Sequence, residues 1–199
     1  GRVYEPEILI DILNHFFLQI ALLEKKFNLN FEIIDIGGGF GSTDAKEFNI
    51  PDFCRGLKFL LKKYCLENRK IILELGRYLV ARSGFYVVRI IECRRLKKVN
   101  YLIAEGLVNN YYATMLDKFP QKYWPVDDFK IEIFGRGSAG GKLYRTGVCG
   151  QMSSVVDVIG RDNDSCFFLP EAKPNDLLVI KGVGAYGLTW AHSLMGTRP

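Results

Sequence analysis

The fold is decided at residues 35–41, which read Asp-Ile-Gly-Gly-Gly-Phe-Gly. The residues just before the glycines, 31–36, are rich in β-branched side chains and nearly continuous in apolar character, which is typical of a parallel strand covered on both faces. Glycine adopts positive φ and lets the backbone approach a ligand closely, so consecutive N–H groups can turn inward around an anion. The segment therefore predicts a phosphate-binding loop after a buried strand. A tight turn that merely requires glycine is the alternative.

Two familiar nucleotide-binding motifs do not fit this loop. The dinucleotide fingerprint needs G-x-G-x-x-G running directly into a helix, and the third glycine position counted from Gly37 is Ser42. A Walker loop needs Gly-Lys-Ser/Thr, which does not follow the glycines. The spacing excludes both motifs.

Composition indicates a globular chain with no preference for nucleic acid. The 199 residues are 48% hydrophobic and 25% charged, and the net charge of +5 is spread over scattered basic residues or short runs that we interpret as solvated faces. Five cysteines without a C-x-x-C pair, and only two histidines, favour neither a disulfide framework nor a metal site. We therefore expect a reducing cytoplasmic location, with no metal and no nucleic-acid partner.

The longest apolar stretch, residues 8–23, is interrupted by four polar or charged residues. This pattern predicts an amphipathic helix rather than a membrane span. The amino-terminal residues also lack the pattern of a secretion signal. We expect no membrane partner.

Hydrophobic periodicity predicts an α/β segment followed by an all-β domain. Two helices and two strands form one right-handed parallel crossover, and their predicted ranges are 6–27, 31–36, 51–67 and 70–75. After residue 80, alternating segments typical of strands predominate, at 84–94, 99–105, 130–134, 143–148 and 177–181. We predict domains at 1–80 and 81–199, with the boundary near 78–84.

Two charged residues lie near the carboxyl end of the second strand of the crossover, Glu74 within the strand and Arg77 after it. Arg77 lies at its carboxyl end, the edge where ligands collect in α/β layers, and a guanidinium there can bind phosphate oxygens. Glu74 is an acid in an otherwise apolar strand, so we expect it to be buried and to need a partner, such as a protonated ring nitrogen. The alternative is that both residues pair with other protein groups.

Three segments, at 35–41, 74–80 and 184–187, resemble in this order the ornithine/diaminopimelate/arginine decarboxylase family of fold-type III pyridoxal-phosphate enzymes. The resemblance runs from about Tyr4 to the end of the chain. It is greatest to the branch that includes decarboxylases of amino acids tethered to acyl-carrier proteins. It implies part of a TIM-like (β/α)8 barrel followed by a carboxyl-terminal β-domain.

The resemblance implies a cofactor, pyridoxal 5′-phosphate, and a role for each matched residue. Glu74 would hold the pyridine nitrogen protonated so that the ring can accept electrons. The phosphate would be bound by Gly37, Gly38, Gly39, Gly76, Arg77 and, from the β-domain, Tyr186. The resemblance further implies a homodimer with shared active sites, acting on a small amino acid or on one carried by an acyl-carrier protein.

The sequence departs from the family pattern in residues 150–157. Ser153 stands where the family has a partner-subunit cysteine that helps to protonate the reacting carbon, and a hydroxyl is a far weaker acid than a thiol. Ser154 lacks the family's substrate-facing carboxylate, whereas Asp157 matches. Leu75 replaces the proline of the family's Glu-Pro-Gly-Arg segment, a modest change.

The lysine that binds the cofactor covalently in the family lies in an early barrel strand, and no lysine here matches it. We therefore expect the sequence to be the carboxyl-terminal half of such a protein. Two hypotheses follow: a pyridoxal-phosphate-dependent decarboxylase, or a non-catalytic relative that acts by binding a partner. An amino-acid racemase is less favoured, because it would place an arginine where Glu74 stands.

Overall fold

The computed structural model describes residues 3–42, 47–106, 130–136, 141–151, 157–160 and 166–187. It divides into two compact units, Gly1–Leu79 and Val80–Pro199. The first unit contains the glycine loop and the second contains most of the strands.

Helix α1, Pro6–Phe27, has the predicted bounds. Proline in the first turn lacks only an N–H that the helix does not use, and Asn28 ends the helix with φ 53° while its N–H donates to the Glu24 carbonyl. By length and composition α1 is long and apolar enough to cross a membrane, a test that core helices also pass. In this structure it buries one apolar stripe in the first unit, made by Leu13, Phe17 and Ile20.

A parallel crossover follows α1, as the periodicity predicts. It consists of strand β1 (Ile33–Gly38), helix α2 (Ile50–Lys63) and strand β2 (Lys70–Glu74). The strands pair in parallel from Ile33 opposite Lys70 to Gly38 opposite Glu74. Asn49 caps α2, since its side chain accepts a hydrogen bond from the Asp52 N–H at 3.2 Å.

In the described part of the first unit, helices cover one face of the two strands, whereas the sequence predicted burial on both faces. Ile34 is 3% exposed in a core shared with α1 and α2, whereas Ile33 and Ile72 are 55% and 36% exposed. Successive strand residues point to opposite faces, and both helices pack on the face of Ile34. The apolar pattern identified the strands but could not specify what covers each face.

The second unit is built on a mixed sheet. Its described strands are β3 (Phe85–Leu96), β4 (Val99–Ala104), β5 (Lys130–Ile133), β6 (Tyr144–Cys149), β7 (Val158–Ile159), β8 (Phe167–Leu169) and β9 (Leu177–Lys181). They run in the order β5-β9-β3-β4-β6-β7, with β8 also paired to β6. Among the described strands of this unit, only the β4–β6 pair is parallel. The sequence predicted the five longer strands, while β7 and β8 are too short to show alternation.

Candidate functional site

The glycine loop turns through a β-bulge at the end of β1. Asp35 lies opposite Ile72 and Gly38 lies opposite Glu74, so three steps along β1 match two along β2. The extra residue falls between them, and Gly37 there has φ 68°. Gly39 has φ 97°, so two of the three glycines take a conformation that other residues adopt only with strain.

Gly38 is required for a different reason, the close approach of the two strands. A Cβ atom added at Gly38 would overlap the backbone carbonyl of Glu74, whereas one added at Gly37 would meet no atom within 4 Å. The loop backbone therefore lies directly against the end of β2. This contact brings the predicted phosphate loop and Glu74 together, as the sequence predicted.

The hydrogen bonds divide the loop amides by role. The Gly37 N–H donates to Asp35 Oδ1 at 2.8 Å, so this amide is engaged within the chain rather than turned toward a ligand. Of the other two glycines, Gly38 pairs with Glu74 in the β1–β2 ladder and Gly39 follows the strand. In this structure Gly37 contributes through its backbone conformation.

The outgoing end of the loop is anchored in the core of the first unit. The Val3 N–H donates to the Gly39 carbonyl at 2.9 Å, and the Gly41 N–H donates to the Val3 carbonyl at 2.8 Å. Phe40 is 3% exposed and stacks on Phe48 with ring centroids 4.3 Å apart. The loop is therefore held on both sides, by Asp35 at its entry and by Phe40 at its exit.

Glu74 is exposed at the carboxyl end of β2, which corrects the expectation that it is buried. Glu74 lies on the exposed face of the β1–β2 pair, so its side chain does not require a partner within the protein. The neighbouring Gly76 opens the short helix α3, Gly76–Val80, and is also exposed. Arg77 follows in its first turn and is only 6% exposed.

This arrangement fits a phosphorylated, protonated heterocycle. Gly37 and Gly39 have positive φ, Arg77 follows the neighbouring strand end in sequence, and the exposed Glu74 lies against the loop. A phosphate needs N–H donors and a cation, and a protonated ring nitrogen needs an anion. The donors and charges of the first unit meet both requirements.

In the second unit Asp157 is fully buried, at 0% exposure. Its carbonyl accepts a hydrogen bond from the Gly150 N–H at 2.9 Å, and a Cβ atom added at Gly150 would overlap the Asp157 carboxylate. Burial and the charge of Asp157 raise the pKa of both Tyr86 and Cys149. The structure places Asp157 in the interior of its unit, away from solvent, and the predicted Ser153 lies outside the described residues.

Tyr186 lies in the turn after β9 with φ 66° and 39% exposure. This backbone conformation is uncommon for a bulky residue and is a signal that no sequence pattern reveals. The contact made by Asp35 was not predicted from the sequence. Its signal was available, because an aspartate two residues before a glycine in a turn can bond that glycine's N–H.

The raised pKa of Cys149 predicts selective thiol labelling. At neutral pH iodoacetamide should modify the exposed Cys54 and Cys65 and leave Cys149 unmodified, because burial and the Asp157 charge keep Cys149 protonated. Labelling of Cys149 should increase only as the pH rises above the usual thiol range. Peptide mass spectrometry of the labelled protein measures this order.

The matched control for this labelling is Cys93, whose pKa is also raised by burial and by other carboxylates, Asp176 first among them. Asp157→Asn should accelerate labelling of Cys149 and leave Cys93 unchanged. Equal acceleration of both would mean that the substitution loosened the whole unit, and no acceleration would remove Asp157 as a cause.

Comparison with known proteins agrees with this site. Residues 9–81 match the family described as pyridoxal-dependent decarboxylase, pyridoxal binding domain. Thus the family match contains the glycine loop, Glu74 and Arg77. The expectation that the sequence is a carboxyl-terminal half stays a prediction.

Two curated relatives are similar over most of the chain. The probable ornithine decarboxylase of Dictyostelium discoideum is 26% identical over 193 residues, which cover 89% of this chain and 38% of that protein. The L-glutamyl-[BtrI acyl-carrier protein] decarboxylase of Niallia circulans is 26% identical over 183 residues, covering 84% and 39%. The chain therefore spans about two fifths of the length of these relatives.

The fold is shared with solved decarboxylase structures. Diaminopimelate decarboxylase from Helicobacter pylori superposes with a TM-score of 0.73 at 20% identity, covering 98% of this chain and 44% of that one. This likeness is consistent with part of a barrel followed by a β-domain. Taken together, the comparisons show that the chain is similar to ornithine, diaminopimelate and carrier-protein-linked amino-acid decarboxylases, and that residues 9–81 are similar to a pyridoxal binding domain.

Proposed function

We propose that the protein is a pyridoxal-phosphate-dependent decarboxylase of an amino acid, free or tethered to a carrier protein. The observation that carries the proposal is the bulged glycine turn packed against Glu74, at the edge that Arg77 follows. This edge lies within the residues that match a pyridoxal binding domain.

Each residue of the site has a distinct task in this proposal. The amides of Gly38 and Gly39, with Gly76 and Arg77, would bind the cofactor phosphate and fix its position. Pyridoxal phosphate, when bound, supplies the electron sink that makes loss of carbon dioxide possible. Glu74 would accept a hydrogen bond from the ring nitrogen and keep the proton there. Its exposure in the described residues leaves the carboxylate accessible to a ligand.

The substrate and the assembly are finer parts of the proposal. The Niallia circulans relative is named for a carrier-protein substrate, which supports a tethered amino acid as one candidate. We propose a homodimer in which Tyr186 helps to bind the phosphate and Ser153 supplies a proton in place of the family's cysteine. A serine proton is released far less readily, so we expect slow protonation at this step.

The second candidate is a non-catalytic relative that acts by binding a partner protein. Ser153 favours it, because a hydroxyl replaces the acid that the family uses. The two candidates make opposite predictions for release of carbon dioxide, and only the decarboxylase requires bound cofactor.

One experiment separates the candidates. The natural full-length protein is loaded with pyridoxal phosphate, reduced with borohydride and weighed as the intact chain, and a parallel sample is assayed for carbon dioxide release from free and carrier-tethered amino acids. A covalent adduct with release of carbon dioxide supports the decarboxylase. Absence of both the adduct and carbon dioxide release would contradict the decarboxylase and support the non-catalytic binding relative.

Replacing Arg77 should weaken binding of the cofactor phosphate. We expect Arg77→Ala to lower affinity for pyridoxal phosphate by about 10- to 100-fold, since a charge-assisted hydrogen bond contributes about 1.5–3 kcal/mol. Affinity for pyridoxal, which has no phosphate, should change little. Absorbance titration of the full-length protein with both ligands measures the two affinities.

Burial of Arg77 makes a folding control necessary. Arg77→Lys keeps the positive charge and should retain part of the preference for the phosphate, although it loses the forked geometry. An equal loss of both ligands in Arg77→Ala would indicate damage to the fold rather than to a phosphate site.

A further inference from the structure

We propose that Asp35 is a positioning residue that holds the glycine turn in the shape that binds the cofactor phosphate. The inference rests on the proposed function and adds a residue that it does not include. Asp35 carries a negative charge only two residues from the turn, where an incoming phosphate is also negative. Direct binding therefore cannot explain its presence, and a geometric role can.

The β-bulge creates the need for such a residue. A bulged residue lies outside the regular ladder, and its backbone polar groups require other partners. At Gly37 that partner is the Asp35 side chain, whose Oδ1 accepts the Gly37 N–H at 2.8 Å. The bond closes a short ring at the position where φ becomes 68°, and so it stabilises the turn.

The bond from Gly37 to Asp35 also influences the orientation of the Gly38 and Gly39 N–H groups. Gly39 is tied at its carbonyl to the Val3 N–H, and Phe40 is fixed by its buried ring. With the exit of the loop anchored in this way, the conformation at Gly37 determines how Gly38 and Gly39 present their N–H groups. Loss of the Asp35 acceptor would leave the entry of the loop loose and its exit fixed.

The test compares two substitutions of the Asp35 side chain. Asp35→Asn keeps an oxygen acceptor in place and removes the charge, whereas Asp35→Ala removes the acceptor. We expect Asp35→Ala to lower affinity for pyridoxal phosphate by about three- to tenfold, the effect of one hydrogen bond. Asp35→Asn should bind at least as tightly as the natural protein, because repulsion of the phosphate is reduced.

The controls use the full-length protein throughout. Asp11→Ala removes a carboxylate that is 77% exposed on α1. It should change the affinity neither for pyridoxal phosphate nor for pyridoxal. Amide hydrogen exchange at Gly37, measured without cofactor, should accelerate in Asp35→Ala and remain slow in Asp35→Asn. This readout is independent of catalysis and of ligand binding.

The outcomes distinguish failure of the positioning role of Asp35 from failure of the proposed function. If the natural protein prefers pyridoxal phosphate over pyridoxal but Asp35→Ala keeps that preference in full, the positioning role is wrong and the proposed function stands. Equal losses in Asp35→Asn and Asp35→Ala would also overturn the positioning role. If the natural protein shows no preference for the phosphate, the proposed function fails together with the inference.

Discussion

Replacing Gly38 with alanine is expected to separate β1 from β2. The added Cβ would overlap the backbone carbonyl of Glu74, and neither strand can move without breaking the pairing that joins them. We expect the free energy of unfolding to fall by on the order of 3 kcal/mol, the upper range for overpacking a rigid site. Urea denaturation followed by far-ultraviolet circular dichroism reports this loss, because the long described helices α1 and α2 belong to the same unit.

Gly37→Ala is the matched control for this substitution. It adds the same methyl group one residue earlier, where no atom lies within 4 Å, and its cost is limited to the positive φ, about 1–2 kcal/mol. A smaller effect for Gly37→Ala is therefore expected. Equal destabilisation by the two substitutions would show that strand approach is not what requires glycine at position 38.

Replacing Glu74 is expected to remove turnover while leaving the cofactor bound. Glu74→Gln cannot hold a proton on the pyridine nitrogen, so the electron sink is weakened, and we expect the decarboxylation rate to fall by at least about 100-fold. The phosphate contacts are untouched, and the exposed side chain contributes little to folding. Rate measurements with each substrate, together with absorbance of the bound cofactor, test both parts.

Glu67→Gln provides the control, because Glu67 is another exposed glutamate of the first unit and lies before β2 rather than at its end. It should leave the rate and the cofactor spectrum unchanged. A Glu74→Gln protein with unchanged turnover would remove Glu74 from the mechanism. Loss of the cofactor from Glu74→Gln would instead assign Glu74 to binding.

Elements with strong local signals were predicted from the sequence with accurate bounds. Helix α1 was predicted at its observed ends, because proline marks its start and an apolar stripe continues to Phe27. Helix α2 was predicted to end near residue 67 but ends at Lys63. The apolar pattern continues beyond it because Leu66, although outside the helix, is 1% exposed in the core.

Features that depend on distant parts of the chain were predicted less well. Strand β1 was predicted at residues 31–36 and lies at Ile33–Gly38, because pairing with Glu74 extends the strand into the glycines. Burial of Glu74 was wrong for a related reason, since the covering of a face is decided by packing and not by local pattern. The bond from Gly37 to Asp35 was also missed, because the bulge that requires it arises from the register of two strands.

The predicted site residues also differ in how far the structure brings them together. Gly38 and Glu74 were predicted from motifs at two strand ends, and parallel pairing brings them into contact. Asp157 was predicted to be catalytic from a motif alone, and the structure shows it fully buried in its unit. Arg77 is also buried, so burial does not decide between these residues, and the catalytic role of Asp157 stays a prediction.

The central claim, that this loop holds the phosphate of the cofactor, is tested most directly by phosphorus NMR. Pyridoxal phosphate bound to the full-length protein is titrated between about pH 5 and pH 8, the range in which a free phosphate ester changes charge near pH 6. Backbone N–H donors and the Arg77 guanidinium stabilise the dianion, so the bound signal should remain at one chemical shift throughout. A bound signal that titrates like that of the free cofactor would contradict binding of the phosphate by this loop.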